Sequence, residues 1–128
     1  MSIKTEISVG EFLDKMTILQ IKQARIQDSG KLANINRELE TLMQQWSASV
    51  YAGADIGNAV KKLREVNEKL WDIEDDIREK ESAGEFDQRF IELARAVYIT
   101  NDERARIKKL INEQLGSGLV EEKSYKGY

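Results

Sequence analysis

The amino-acid sequence predicts an all-α protein: an up-and-down antiparallel helical bundle of about four helices, two of them long, with a short C-terminal tail. The 128-residue chain contains no proline and is rich in strong helix formers such as Glu, Lys, Arg, Leu and Ala. Its apolar residues recur at three- and four-residue spacing, which indicates amphipathic helices. Short connections between consecutive helices favour antiparallel neighbours. We therefore expect one domain spanning residues 1–128.

The first two predicted helices cover residues 9–27 and 32–50. Ser8 and Glu11 have capping-box spacing, so we expect Ser8 to cap the first helix and Glu11 to bind back to the Ser8 amide. Apolar residues lie on two sides of this helix, which predicts a central position in the bundle or a subunit interface. The second helix follows a break that ends at Gly30.

The last two predicted helices cover residues 58–83 and 86–115, and the tail covers residues 116–128. Gly84 and Gly116 are suited to end these helices. At about 1.5 Å per residue each helix reaches roughly 40 Å. Because a compact monomer of this size would struggle to cover that length, we expect a homo-oligomer, either a dimer or a higher assembly.

Both long helices carry polar residues inside the stripe that should face the core. These are Asn67, Glu74 and Glu81 in the third helix, and Thr100, Asn101, Arg104 and Lys108 in the fourth. Buried charges must pair, meet water or hold a ligand. Glu74 and Arg104 can form a bidentate pair across facing helices. The network is then either a purely architectural lock that fixes helix register or the wall of a pocket.

The pocket interpretation predicts capture of a small anionic ligand, because a planar guanidinium suits phosphate and carboxylate groups. Trp71 and Tyr98 are candidates for stacking on a base or sugar ring, although helix packing would also explain them. The segment from Glu121 to Tyr125 could close the pocket or be a partly ordered terminus. The predicted ligand-binding residues are Lys15, Lys22, Asn67, Trp71, Glu74, Arg78, Tyr98, Asn101, Arg104, Lys108 and Lys123.

The composition narrows the possible functions. The chain has no cysteine and no histidine, which removes thiolate chemistry, the commonest general base and the commonest transition-metal ligand. We accordingly predict no catalytic residue, no cofactor and no metal site.

A formal charge of −3 argues against non-specific nucleic-acid binding. The sequence shows neither a signal peptide nor an apolar run near the about 18 residues of a membrane span, so we expect no membrane partner and a cytoplasmic location.

An acidic cluster in the third helix suggests one alternative function. Carboxylates at helical spacing can hold Mg²⁺, as in helical nucleotide pyrophosphatases. Most of the cluster falls on the outer face, however, where basic residues one turn away can neutralise it. A solvated face is the preferred interpretation, and a Mg²⁺-dependent nucleotide hydrolase ranks last. The cluster comprises Asp72, Glu74, Asp75, Asp76 and Glu79.

Four stretches have the character of family motifs: SVGEFLDKMTIL at 8–19, LWDIEDDIR at 70–78, VYITNDERA at 97–105 and EEKSY at 121–125. Through them the chain resembles, over nearly its whole length, an uncharacterised family of small all-helical proteins of bacteria and phages. The resemblance implies a stand-alone domain and an association of some members with cell-surface sugar or glycosyltransferase genes, but no activity. The matching polar positions are Asp14, Lys15, Thr17, Lys22, Glu74, Arg78, Asn101, Asp102, Arg104 and Lys123.

The sequence thus favours a non-catalytic binding module for a nucleotide, nucleotide-sugar or similar phosphorylated molecule, including a nucleotide-sequestering protein of a phage or bacterium. This hypothesis predicts that Arg104→Ala abolishes binding and leaves the helical content nearly unchanged. The first alternative is a structural or interaction protein that docks a partner such as a glycosyltransferase. Exposed apolar positions such as Ile91 and Ile99 would then form the docking surface.

Overall fold

The computed structural model of the chain describes residues 1–119 and 122–128, which contain helices and no strand. The predicted all-α class is confirmed, and each predicted helix boundary lies within three residues of the observed one. No helix in the described part of the chain is long and apolar enough to cross a membrane. The helices are α1 (Val9–Arg25), α2 (Ser29–Ser47), α3 (Gly57–Ala83) and α4 (Gln88–Leu115).

Aspartate caps determine where α2 and α4 begin. The Asp28 carboxylate accepts a hydrogen bond from the Lys31 amide at 2.8 Å, so α2 starts within the segment that the sequence assigns to a break. Asp87 caps α4 in the same way by accepting from the Phe90 amide at 3.0 Å. The pKa of Asp87 is lowered, first because Lys80 donates a hydrogen bond to its carboxylate and second because the Phe90 amide does.

Helix α1 is the centre of the bundle. It packs against α2, α3 and α4, whereas α2 approaches α1 alone among the helices. The prediction that α1 is covered on two faces is therefore confirmed. Helices α1, α3 and α4 contact one another in all three pairs, so they form a three-helix unit with α2 laid against the outside of α1.

The two faces of α1 bury two separate apolar clusters. One lies between α1 and α2, and the other joins α1 to α3, α4 and the loop before α3. Burying one Leu or Ile side chain is worth about 1.5–3 kcal/mol, so each cluster is a substantial source of stability. The first cluster contains Leu19, Ile35, Leu39 and Leu42, and the second contains Val9, Leu13, Ile56, Leu63 and Ile111.

The N-terminus of α1 is pinned to the C-terminal end of α4. The Gly10 amide donates to Asn112 Oδ1 at 2.6 Å, and the Val9 amide donates to Ser117 Oγ at 3.3 Å. Two amides that have no partner within α1 are thereby satisfied from α4. The helices approach so closely that a Cβ atom on Gly10 would lie 2.5 Å from the Lys108 carbonyl oxygen. This contact sets the register in which the next turns of α1 and α4 meet.

We predict that Gly10→Ala lowers the free energy of unfolding by about 1–3 kcal/mol, because α1 and α4 must separate to admit the methyl group. A glycine that only weakened its helix would gain up to about 1 kcal/mol from the same change. Gly57→Ala is the matched control, since nothing lies within 4 Å of its added Cβ. Urea unfolding of both variants is the measurement, and equal stability of the two would contradict the close approach.

Candidate functional site

A buried carboxylate, Asp14 of α1, joins the three central helices. Its side chain is only 1% exposed. Asn67 of α3 donates to Asp14 Oδ1 at 2.8 Å, and Arg104 of α4 donates to Oδ1 from Nε at 2.9 Å and to Oδ2 from Nη2. Lys108 Nζ lies 3.9 Å from Oδ2. Because a buried charge is stable only when it is paired and hydrogen-bonded, this carboxylate holds α1, α3 and α4 in one arrangement.

The face of α1 that carries Asp14 has its own sequence signal. Gly10, Asp14, Thr17 and Ile21 follow one another at spacings of four, three and four, which places them on one side of a helix. The Thr17 hydroxyl donates to the Asp14 carbonyl oxygen at 2.8 Å and accepts from Asn67 Nδ2 at 2.9 Å. Asp14 and Thr17 are among the motif positions, but apolar periodicity alone assigns neither of them to the network.

The ammonium group of Lys108 contacts a second carboxylate on α1. Lys108 has a side chain that is 8% exposed, and its Nζ donates to Glu11 Oε2 at 2.5 Å. The capping box is therefore half formed. Ser8 Oγ accepts from the Glu11 amide at 3.1 Å, as predicted, but the Glu11 carboxylate is directed to α4 instead of back to Ser8.

The sequence predicts that Glu74 is the bidentate partner of Arg104, and this prediction is wrong. The bidentate partner of Arg104 is Asp14, whereas Glu74 accepts from Arg78 Nε of its own helix at 3.1 Å. The prediction considered α3 and α4 alone, but α1 packs against both and brings its own carboxylate to the guanidinium. Loss of the Arg104 side chain would leave a buried carboxylate poorly compensated, at a cost of about 3–5 kcal/mol. Arg104→Ala would therefore destabilise the fold, so loss of binding in this variant would not by itself show that Arg104 contacts a ligand.

A cavity of about 500 Å³ opens between α1, α3 and α4, and we name it the three-helix groove. It brings together six of the predicted ligand-binding residues. These are Asn67, Trp71, Glu74, Arg78, Asn101 and Arg104, and the remaining lining residues are Ile18, Ile21, Leu70 and Asp75.

The three-helix groove combines an apolar wall with a mixed polar rim. Ile18 and Leu70 contribute to the apolar wall, and Trp71 adds an aromatic ring to it. The Arg25 guanidinium lies 5.8 Å from the centre of the Trp71 ring. Its pKa is raised, chiefly because it donates a hydrogen bond to Asp72, at 2.5 Å. The guanidinium that Asp72 holds therefore lies over one face of the indole ring.

A smaller cavity of about 200 Å³ lies beside the groove, and we name it the tail cavity. Asn101 and Arg104 line both cavities and form the wall between them. The predicted residues Lys108 and Lys123 are here instead of in the groove. The lining residues of the tail cavity are Glu11, Asn101, Arg104, Ala105, Lys108 and Lys123.

Three predicted residues line neither cavity. Lys15 Nζ is 3.1 Å from Glu38 of α2, and Lys22 stands on α1 without lining the groove or the tail cavity. The Tyr98 ring packs against the ring of Tyr128, with 5.1 Å between centroids. Glu121, the first residue of the predicted closing segment, lies outside the described residues.

The acidic cluster of α3 does not converge on one point. Asp75 lines the three-helix groove, Asp76 lines a different cavity, and Asp72 is paired with Arg25. Among residues 1–119 and 122–128 no three acidic side chains are grouped in a way that could hold a metal ion. These positions give the Mg²⁺-dependent hydrolase hypothesis no geometric support.

We predict opposite outcomes for two threonines that are each 1% exposed. Thr17→Val should lower the free energy of unfolding by about 1–3 kcal/mol, because it leaves an Asn67 N–H without one of its acceptors. Thr100→Val should change stability by less than about 0.5 kcal/mol or stabilise, since Thr100 Oγ1 has no hydrogen-bond partner in the described part of the chain. Chemical denaturation measures both, and a larger loss from Thr100→Val would contradict the network.

Comparison with known proteins places the chain in a family without assigning it an activity. A family model described as a family of unknown function, DUF6165, matches residues 3–128. Searches of curated proteins and of solved structures gave no significant match. The match agrees with the resemblance of the sequence to an uncharacterised family. Since it spans nearly the whole chain, the protein belongs to the family of unknown function DUF6165.

Proposed function

We propose that this protein is a non-catalytic binding module whose three-helix groove captures a small phosphorylated ligand, a nucleotide or nucleotide-sugar. One observation carries the proposal: an indole ring, two amide side chains and two guanidinium groups meet in one cavity. A volume of about 500 Å³ lies within the range of small-molecule sites, roughly 300–1,000 Å³. A protein of this kind would act by sequestering or delivering its ligand.

The charges around the groove favour a ligand that carries both hydroxyl groups and an anionic group. Arg78 and Arg104 offer donors to a phosphate, while Glu74 and Asp75 offer acceptors to sugar hydroxyls. A bare phosphate would be repelled by these two carboxylates. Trp71 can stack on a base or sugar ring. A nucleotide-sugar satisfies all of these groups together.

The ion pair of Asp14 with Arg104 supports the proposal, because it holds the guanidinium in place before a ligand binds. Asp14 holds the Arg104 guanidinium through two nitrogen atoms, so its orientation at the groove is fixed before a ligand arrives. Fixing a long side chain in advance reduces the entropy that binding must otherwise remove. The groove therefore has a rigid wall at Arg104 and a movable rim at Arg78, whose side chain is 79% exposed.

Two larger cavities lack this combination of groups. In the described part of the chain, the cavity of about 760 Å³ beside α2 is lined by one charged residue, Glu40, and by no cation. The cavity of about 630 Å³ between α3 and α4 is lined by one cation, Lys62, and by the acidic residues Asp55 and Glu113. Among the residues that the structure describes, no aromatic ring lines either of these two cavities. The three-helix groove fits a phosphorylated ring compound better than either.

The alternative function, docking of a protein partner, has a specific surface in its favour. Phe86, Ile91 and Ile99 are exposed on and near the α3–α4 hairpin. A partner that covers these side chains would remove apolar surface from water. The same residues would serve the homo-oligomer expected from the length of the helices, which stays a prediction. The molar mass in solution, measured by light scattering, decides between a monomer and an assembly.

We predict that Arg78→Ala weakens binding of a nucleotide-sugar about fivefold, the scale of one exposed charge contact. The change removes a groove guanidinium without disturbing the buried network. Arg64→Ala is the matched control, because Arg64 forms the same type of exposed i,i+4 pair on α3, with Glu68, away from the groove. Trp71→Leu should weaken binding further by removing the stacking surface.

Isothermal titration of the wild type and these variants with UDP-glucose, GDP-mannose and UDP is the measurement. The proposal expects saturable binding that Arg64→Ala leaves unchanged. Absence of binding to all three compounds at millimolar concentration would contradict it. Equal losses in the Arg64 and Arg78 variants would also contradict it, since they would show a non-specific charge effect.

A further inference from the structure

Most polar residues that line the three-helix groove already have a partner inside the protein. The Arg78 guanidinium donates to Glu74 at 3.1 Å, and the Arg104 guanidinium donates to both carboxylate oxygens of Asp14. The Asn67 amide also donates inward, to Asp14 at 2.8 Å. Both guanidinium groups of the groove are therefore shared with carboxylates before a ligand enters.

Two polar side chains of the groove differ from the rest. Within residues 1–119 and 122–128, neither the Asn101 amide nor the Asp75 carboxylate forms a hydrogen bond or an ion pair, although both line the groove. An exposed carboxylate such as Asp75 is ordinary in this respect. Asn101, in contrast, is half-buried, and a polar group partly removed from water gains free energy when it finds a hydrogen-bond partner.

These two side chains match the hydroxyl groups of a sugar better than they match a phosphate. A carboxylate only accepts hydrogen bonds, whereas an amide side chain both donates and accepts. Neighbouring hydroxyl groups on a sugar ring do both, so they can satisfy Asp75 and Asn101 together. A phosphate would be repelled by Asp75. The indole of Trp71 lies in the same lining and offers an apolar face to the ring of a sugar.

The charge of the lining agrees with this assignment. Arg78 and Arg104 are balanced by Glu74 and Asp75, so the described lining of the groove is formally neutral. A neutral lining gives no net long-range attraction to a free phosphate. Contacts with the uncharged part of a ligand must then supply much of its affinity.

We propose that the three-helix groove recognises adjacent hydroxyl groups of a sugar ring, and that Asp75 and Asn101 determine this specificity. The inference rests on the proposed function, because it names the part of the phosphorylated ligand that the groove holds. The phosphate then lies toward the exposed guanidinium of Arg78 and contributes less than the sugar. Adjacent hydroxyl groups occur on the hexose and on the ribose of a nucleotide-sugar, and the experiment distinguishes the two.

Isothermal titration of the full chain with UDP-glucose, UDP and 2′-deoxy-UDP is the first measurement. If the hexose is recognised, UDP-glucose binds about tenfold more tightly than UDP, the scale of one or two hydrogen bonds. If the ribose is recognised, UDP and UDP-glucose bind equally, and 2′-deoxy-UDP binds about tenfold more weakly than either. Equal binding of all three compounds overturns the inference and leaves the proposed function standing.

Two variants test the assigned residues. Asp75→Asn should reduce the preference for the hydroxyl-bearing compound about fivefold, and Asn101→Ala should do the same. Asp76→Asn is the control for the first, because Asp76 is also exposed but lines a different cavity. Asn34→Ala, at an exposed position of α2, is the control for the second. Equal effects of a variant and its control contradict the assignment of that residue.

A neutral sugar separates this inference from the proposed function. If no UDP compound binds, the proposed function fails, and methyl α-glucoside and methyl β-riboside are titrated into the ¹⁵N-labelled chain. Saturable shifts of the Asn101 side-chain amide that Asp75→Asn abolishes would retain sugar recognition without a phosphate. Absence of such shifts with both glycosides would overturn sugar recognition as well.

Discussion

The fold depends on one interaction: the pairing of the buried Asp14 carboxylate with Arg104. A charge that is almost fully removed from water must be compensated, and here the compensation comes from two other helices. Gly10 lets α1 and α4 approach closely one turn away from this pair. Apolar burial provides the bulk of the stability, and the close packing at Gly10 restricts how α1 and α4 can shift along each other. The polar contacts of Asp14 select a single register for α1, α3 and α4.

The buried network is architectural on one side and shapes a candidate site on the other. Asp14, Thr17 and Asn67 form hydrogen bonds with one another in the interior. Arg104 continues this network outward to the wall between the three-helix groove and the tail cavity. The two interpretations that the sequence leaves open are therefore not exclusive. A residue that fixes helix register also fixes the geometry of a surface on which a ligand could bind.

The fold was largely predictable from the sequence, because absence of proline, helical periodicity and glycine breaks act locally. The starts of α2 and α4 differ from the prediction because Asp28 and Asp87 cap these helices, and the spacing of apolar residues does not show which aspartate caps a helix. The site was predictable only in part. Periodicity identified Asn67, Asn101 and Arg104 as polar interruptions, but it could not show that α1 supplies the carboxylate. That choice depends on which helices become neighbours, and α2 packing on α1 alone is a property of the whole chain.

The most direct test of this account is a double-mutant cycle on Asp14→Asn and Arg104→Met, followed by urea unfolding. If the pair holds the three helices together, each single variant loses several kcal/mol, about 3–5 by the precedent of broken buried pairs. The double variant should then lose less than the sum of the two by about 1.5 kcal/mol or more. Additive losses, or a nearly neutral Asp14→Asn, would contradict the claim that this pair organises the bundle.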